Sequence, residues 1–361
     1  MAASFMVMST MAALVVMGNA HAPTGLQCDL KRSPSLGVRA APSFGWIVPP
    51  CDGASDHSQV AYQIVVMASG AHVWDSGKVQ SNVSTYVRYS GPALEAGAPH
   101  EWTVTTWTAA PSGGAPCQSD PSAPAAFITA LFSGWSSSAK WVQLANKSST
   151  FAYFRKEVTV PAGVASAQAF VTSPLDDPLL SGYKLYANGA LLNLGPGRGE
   201  APVFDGDGLF RSLVYYTLDV TATFAQPGVV ALALETMHGG GQPQALLQIT
   251  LRDSGGKVLS TIVSDGTWSG FNGDVHRRPG KALHGGSAGT GFLEYIDARG
   301  EPVGWKSAGF KAGQGWAGAT AVAPTDKDVA NLHAKMQPPM EVTDVVAVTT
   351  LRPFVPAPGP P

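Results

Sequence analysis

The stretch His100-Glu101-Trp102-Thr103-Val104-Thr105-Thr106-Trp107 decides the fold. Through Glu101-Trp102-Thr103-Val104-Thr105 polar and apolar residues alternate, so Trp102 and Val104 face a core while Glu101 and Thr103 face water. Comparable β-rich runs surround it: SFGWIV from Ser43, VAYQIVVM from Val60, HVWDSGKV from His72, STYVRYSG from Ser84 and PAAFITAL from Pro124. Each is bounded by Gly, Pro, Ser or Asp clusters that stop strands. Roughly seven short strands between about Gly25 and Leu131 predict an immunoglobulin-like or fibronectin-III-like sandwich.

A polar connector, Ser133 to Lys140, leads into a second series. FAYFRKEVTV, AQAFVT, GYKLYANG, SLVYYTLDV, GVVALALET, QALLQITLRD and VLSTIVSD run from Phe151 to Asp265, with Asn188-Gly189 and Gly255-Gly256 at tight hairpin positions. The fold class is therefore all-β, a first sandwich followed by a larger antiparallel lectin-like jelly-roll sandwich. The expected boundaries are 1–22 for a leader, 25–131 and 150–320 for the two sandwiches, and 321–361 for a Pro-rich linker ending VPAPGPP.

Composition agrees with many strands and turns. The 361 residues include 41 glycines and 28 prolines, and only 13% are charged, about half the share of an ordinary soluble domain. Long solvated helices and coiled coils are excluded. A net charge of −2 leaves no electrostatic footprint for a phosphate backbone, so nucleic acid is not an expected partner. Phe5 to Met17 followed by Ala20-His21-Ala22 reads as a secretory signal peptide, too short to span a bilayer, and no later run is long enough to do so. The expected location is extracellular.

Three cysteines follow that leader in a compartment that oxidises thiols. Cys51 falls between the second and third strand runs and Cys117 between the last two. In this type of sandwich those loops emerge at one end, while Cys28 sits on the first strand. A Cys51 to Cys117 disulfide with Cys28 free is predicted. Asn82 and Asn146 head glycosylation sequons that matter in a eukaryotic secretory pathway.

Ordered motifs resemble the N-terminal half of bacterial-type α-L-rhamnosidases. They begin with Leu26-Gln27-Cys28, Pro42-Ser43-Phe44-Gly45-Trp46, Ala61-Tyr62-Gln63-Ile64 and Trp74-Asp75-Ser76-Gly77-Lys78-Val79. Tyr183 to Gly189, Gly195 to Glu200, Tyr216 to Thr221, Glu294 to Arg299 with Gly304-Trp305, and Met336 to Thr343 continue the series. The resemblance implies a fibronectin-like domain, a lectin-like sandwich and then an (α/α)6 barrel that hydrolyses terminal rhamnose with inversion. That barrel would begin after about Pro356, and its acid and base cannot be carried over to any position here. Asp297 to Trp305 superficially resembles an acid-bearing stretch of the barrel, but without helical periodicity around it the segment is read as structural, with Trp305 packed and Arg299 paired locally.

Among candidate ligand contacts, Asp205-Gly206-Asp207-Gly208 places two carboxylates on one loop, an oxygen-rich pattern that suits Ca²⁺. With Asn188 and Trp268 they form the candidate carbohydrate contacts, and Trp316 is a further candidate platform. His238, His276, His284 and the Asp274, Arg277, Arg278 cluster read as solvated loops. No GxSxG, HExxH, P-loop or Rossmann signature occurs. These features predict an accessory, carbohydrate-binding or scaffolding region of a secreted rhamnosidase-like glycoside hydrolase, with a rhamnose-containing glycan and the missing barrel as partners. The alternative is a stand-alone secreted carbohydrate-binding or adhesion protein.

Overall fold

A computed structural model describes residues 21–51, 57–110, 116–132, 134–146, 150–174, 181–195, 203–205, 208–210, 213–238, 241–273, 275–277, 295–325 and 332–335. The first unit comprises β1 (Thr24–Cys28), β2 (Lys31–Arg32), β3 (Ser35–Val38), β4 (Ser43–Ile47), β5 (Ser58–Ala68), β6 (Ala71–Asp75), β7 (Val79–Gln80), β8 (Val87–Arg88), β9 (Pro99–Ala109), β10 (Cys117–Gln118) and β11 (Ala125–Thr129). One sheet has the order β2-β1-β4-β8. The other runs β3-β11-β9-β5-β6, with β10 beside β9 and β7 beside β5.

The alternation read in the sequence sets the register. Trp102 and Val104 of β9 are buried, Glu101 is exposed, and β5 lies antiparallel with Val66 opposite Trp102 and Ile64 opposite Val104. Phe44 packs on Trp102 with ring centroids 4.5 Å apart, closing the core between the two sheets. Cys51 and Cys117 are joined, their Cα atoms 6.1 Å apart, and Cys28 is buried with a free thiol.

The second unit contains β12 (Trp141–Gln143), β13 (Phe151–Val160), β14 (Ser166–Thr172), β15 (Ser181–Ala187), β16 (Ala190–Gly195), β17 (Val203–Asp205), β18 (Gly208–Phe210) and β19 (Leu213–Asp219). A one-turn helix α1 (Thr221–Phe224) precedes β20 (Gly228–His238), β21 (Gln244–Arg252), β22 (Val258–Val263), β23 (Ser269–Asn272), β24 (His276–Arg277), β25 (Tyr295–Ile296), β26 (Trp316–Gly318), β27 (Thr320–Val322) and β28 (Leu332–Ala334). Its sheets are β27-β12-β21-β14-β19-β28, with β22 added to β21, and β16-β15-β20-β13-β23-β26. Aliphatic residues such as Leu232, Leu234, Leu247 and Ile249 fill the space between them.

This unit reaches past the boundaries expected at 150 and 320. Trp141 and Val142 are buried in β12, and Leu332–Ala334 pairs parallel with β19, because Leu332 completes a cluster with Tyr215 and Leu246. The two sandwiches share that cluster through Ala130 and Leu131. At the same junction Leu131 N donates to Tyr215 Oη at 2.9 Å, and Arg252 pairs with Glu95 at 2.7 Å. Gly97 sits at φ +65 where an added Cβ would lie 2.8 Å from the Phe170 ring, so glycine is required for the units to approach.

Candidate functional site

β13, β15 and β20 lie side by side, and on their outer face side chains stand where a simple two-layer sandwich would meet solvent. Here the segment from Asp297 to Gly318 covers part of that face. Trp305 is buried and stacks on Tyr153 at 4.5 Å, with Ala233 beneath and Tyr186, Phe271, Phe310 and Trp316 around it. Arg155 fastens the cover: its Nε donates to Trp305 O at 3.0 Å, Nη1 to Phe310 O at 3.2 Å and Nη2 to Ser307 O at 3.2 Å. Its Nη2 also pairs with Glu157 at 2.6 Å, and Glu157 accepts from Gly309 N at 2.9 Å. Those donors hold the Glu157 carboxyl below the ordinary carboxylate range, the Arg155 hydrogen bond foremost.

Beside this aromatic cover lies a row of charge. Glu235, buried on β20, accepts from Lys184 Nζ at 2.6 Å and from Tyr186 Oη at 3.5 Å, and lies 3.9 Å from Lys306 Nζ. Lys306 also pairs with Glu301 at 3.2 Å and stands over the Tyr186 ring at 4.5 Å. Burial, then the Glu235 charge, pushes the Tyr186 phenol well up, so it remains a neutral donor. A cavity of about 150 Å³ opens next to this row, lined in part by Lys184, Leu194, Glu235 and Met237. Half-buried rings beside fixed ammonium and carboxylate groups suit an amphipathic sugar face.

The same geometry does not suit hydrolysis at these carboxylates. An inverting glycosidase needs a proton-bearing acid and a separate base facing a water, whereas Glu235 and Glu301 direct their oxygens at Lys184 and Lys306. Asp297 is taken by Arg299 at 2.7 Å, and Trp305 Nε1 donates to Glu301 at 3.1 Å.

The candidate residues from the sequence scatter. Trp268 is corrected outright: it is only 1% exposed, donates Nε1 to Val263 O at 3.0 Å and belongs to the inter-sheet core, so a sugar cannot stack on it. Asn188 occupies the β15 to β16 turn at φ 47, and its Oδ1 accepts from Ala231 N at 2.8 Å, which gives it a structural task. Asp205 ends β17 opposite Gly208 of β18. The Asp205 side chain, Asp207, His284, Asp274 and Arg278 lie outside the described residues, as do the side chains of His276 and Arg277. No cluster of three or more His, Cys, Asp or Glu that could hold a metal occurs among the described residues. Asn82 and Asn146 are exposed, while His238 is buried at the end of β20. Trp316 is half-buried against Phe271 at 5.2 Å.

The sequence reading missed Lys184, Glu235 and Lys306. Glu235 stands within an otherwise apolar run, VVALALETM, and a lone carboxylate at a strand position that should be apolar was the available signal.

Two mainly antiparallel sandwiches in tandem, the first of immunoglobulin type, define a class of all-β modules. Residues 23–133 match the family model for the Rha78A-like N-terminal immunoglobulin domain. Over these residues the chain is thus similar to the N-terminal immunoglobulin domain of Rha78A-like proteins. It is 41% identical over 113 residues to an α-L-rhamnosidase of Streptomyces avermitilis, matching 30% of this chain and 10% of that one. It is also 33% identical over 138 residues to an α-L-rhamnosidase of Formosa agariphila, matching 36% of this chain and 14% of the relative. A solved α-L-rhamnosidase from Dictyoglumus thermophilum shares the fold across 91% of this chain and 37% of its own, with 21% identity and a TM-score of 0.70. The matched regions are thus a small part of the curated relatives.

Proposed function

We propose that this chain is the carbohydrate-binding accessory region of a secreted α-L-rhamnosidase-like glycoside hydrolase, engaging rhamnose-containing glycan through its second sandwich. The observation that carries this reading is the fixed array of Tyr186, Trp316, Lys184 and Lys306 on the outer face of β13, β15 and β20, held by the Arg155 fastening. Aromatic faces pack the C–H side of a pyranose, and nearby ammonium groups donate to its hydroxyls. The leader at 1–22 is proposed to direct export; no described helix is long and apolar enough to cross a membrane.

Calorimetry with L-rhamnose, with and without Ca²⁺, tests this reading. Affinity on the order of millimolar is expected, weakened about tenfold by Trp316→Ala, which removes a stacking surface. A requirement for Ca²⁺ would bring Asp205 into the site. A flat titration in both conditions would refute sugar binding by this region.

A further inference from the structure

The outer face of the first sandwich contains a different concavity. In β4 Phe44 and Trp46 enter the core, while Gly45 and Ile47 lie on the opposite face, where Ile47 is exposed. Cross-strand register places Arg32, Gln27 and Gly45 in one row, about 4.8 Å per strand. Gly45 lacks a side chain at the end of that row, and a hollow of about 520 Å³ lies there, within the size range of small-molecule sites. Its walls are apolar and exposed: Leu30 is 71% exposed, Ile47 62% and Tyr86 50%.

Two of those walls occupy conformations that their residue types disfavour. Cys28 pairs with Lys31, so Asp29 and Leu30 form a two-residue hairpin turn at φ 50 and φ 62, where glycine is preferred in the second position. Leu30 instead carries a large apolar side chain into water. Tyr86, at φ 57, interrupts the β4 to β8 ladder, after which Trp46 N bonds Ser84 O. In the turn that carries Leu30, buried Asp29 accepts from Arg39 Nη2 at 2.7 Å.

The charge around the hollow has one sign. Arg32 lines it, Arg88 stands 5.8 Å from the Tyr86 ring centre, and neither guanidinium has an ion-pair partner among the described residues. Asp29, the nearby carboxylate, is buried and committed to Arg39. We infer that this hollow binds an anionic pyranose, a hexuronate residue of an acidic glycan. Its C–H face would lie on Tyr86 and Ile47, and its carboxylate would meet Arg32, whose planar fork matches two oxygens. The inference rests on the proposal that the chain contacts glycan, and adds a second, charge-selective contact on the first unit.

Backbone amide NMR of the full chain, titrated with D-galacturonate and in parallel with neutral D-galactose, tests it. Galacturonate is expected to move the amides of Gln27, Gly45 and Thr85, with galactose at least about tenfold weaker and the response reduced by added salt. Arg32→Gln, at an exposed position, should weaken galacturonate about tenfold or more while leaving the thermal midpoint unchanged. Tyr86→Ala should weaken both sugars. Equal response to the two sugars, an unchanged titration in Arg32→Gln, or no response at all would overturn the inference. L-rhamnose titration at the second sandwich is read separately. Its success alongside galacturonate failure sinks this inference alone, and failure of both removes the glycan-binding reading as well.

Discussion

Asp29 and Arg155 are charged residues placed where burial alone would oppose them. Asp29 has a fully buried side chain, and desolvation by itself would raise its carboxyl. Hydrogen bonds from the Arg39 side chain, the Arg39 backbone and the Ser43 backbone outweigh it and hold the group below its ordinary value. A depressed folded-state value contributes stability above the unfolded carboxyl's ~3.9, and that contribution is lost as pH falls through the lower folded value. Asp29→Asn should therefore cost about 1–3 kcal/mol at neutral pH, with the gap to the parent narrowing below about pH 4. Urea unfolding at several pH values measures it. A pH-independent gap would mean that the packing of Asp29, and not its charge, carries the effect. Arg155 satisfies three carbonyls through a planar fork that a lysine cannot reproduce. Arg155→Lys should release the Trp305 cover and destabilise the second sandwich by about 2–4 kcal/mol, with a red shift in tryptophan emission. Unchanged emission would show that aromatic stacking holds the cover unaided.

At the scale of strands and turns, residue pattern and outcome correspond closely. Trp102 and Val104 are buried as their period-two alternation requires, and Asn188-Gly189 supplies two positive φ values at a hairpin. Local pattern was sufficient there because those choices depend on neighbours in the chain. Trp268 was misread because its sequence setting, Gly-Thr-Trp-Ser-Gly, is that of a loop, while its burial depends on β13, β20 and β21 packed from afar. Glu235 stood out as a lone carboxylate, but its meeting with Lys306 was illegible for the same reason, since the two come together only when a distant segment folds back over the sheet. The join of Cys51 to Cys117 ties the loop after β4 to β10, at a sequence separation of 66. Cys51→Ser with Cys117→Ser should lower stability by about 2–4 kcal/mol through the freer unfolded chain. Chemical denaturation against the parent measures this, and an unchanged midpoint in the double variant would contradict it.

Across the whole molecule, the two sandwiches meet through a shared apolar cluster and the Glu95 to Arg252 pair. Burial pushes the Tyr215 phenol at that junction up to about 12, keeping it protonated as it accepts from Leu131. The junction makes the units a joined platform with two solvent-facing surfaces, one on each sandwich. On the second, Glu235, Asp297 and Glu301 are engaged by lysine and arginine, so under the proposed reading that surface holds a sugar without these carboxylates attacking it. Equilibrium dialysis of the chain against a chromogenic aryl α-L-rhamnoside reads both properties in one vessel. Retention of the glycoside by the wild-type chain, reduced in Trp316→Ala, with no release of the phenol, is the predicted result. Phenol release that disappears in Glu301→Gln, or no retention by the wild-type chain at millimolar glycoside, would contradict an accessory sugar-binding role.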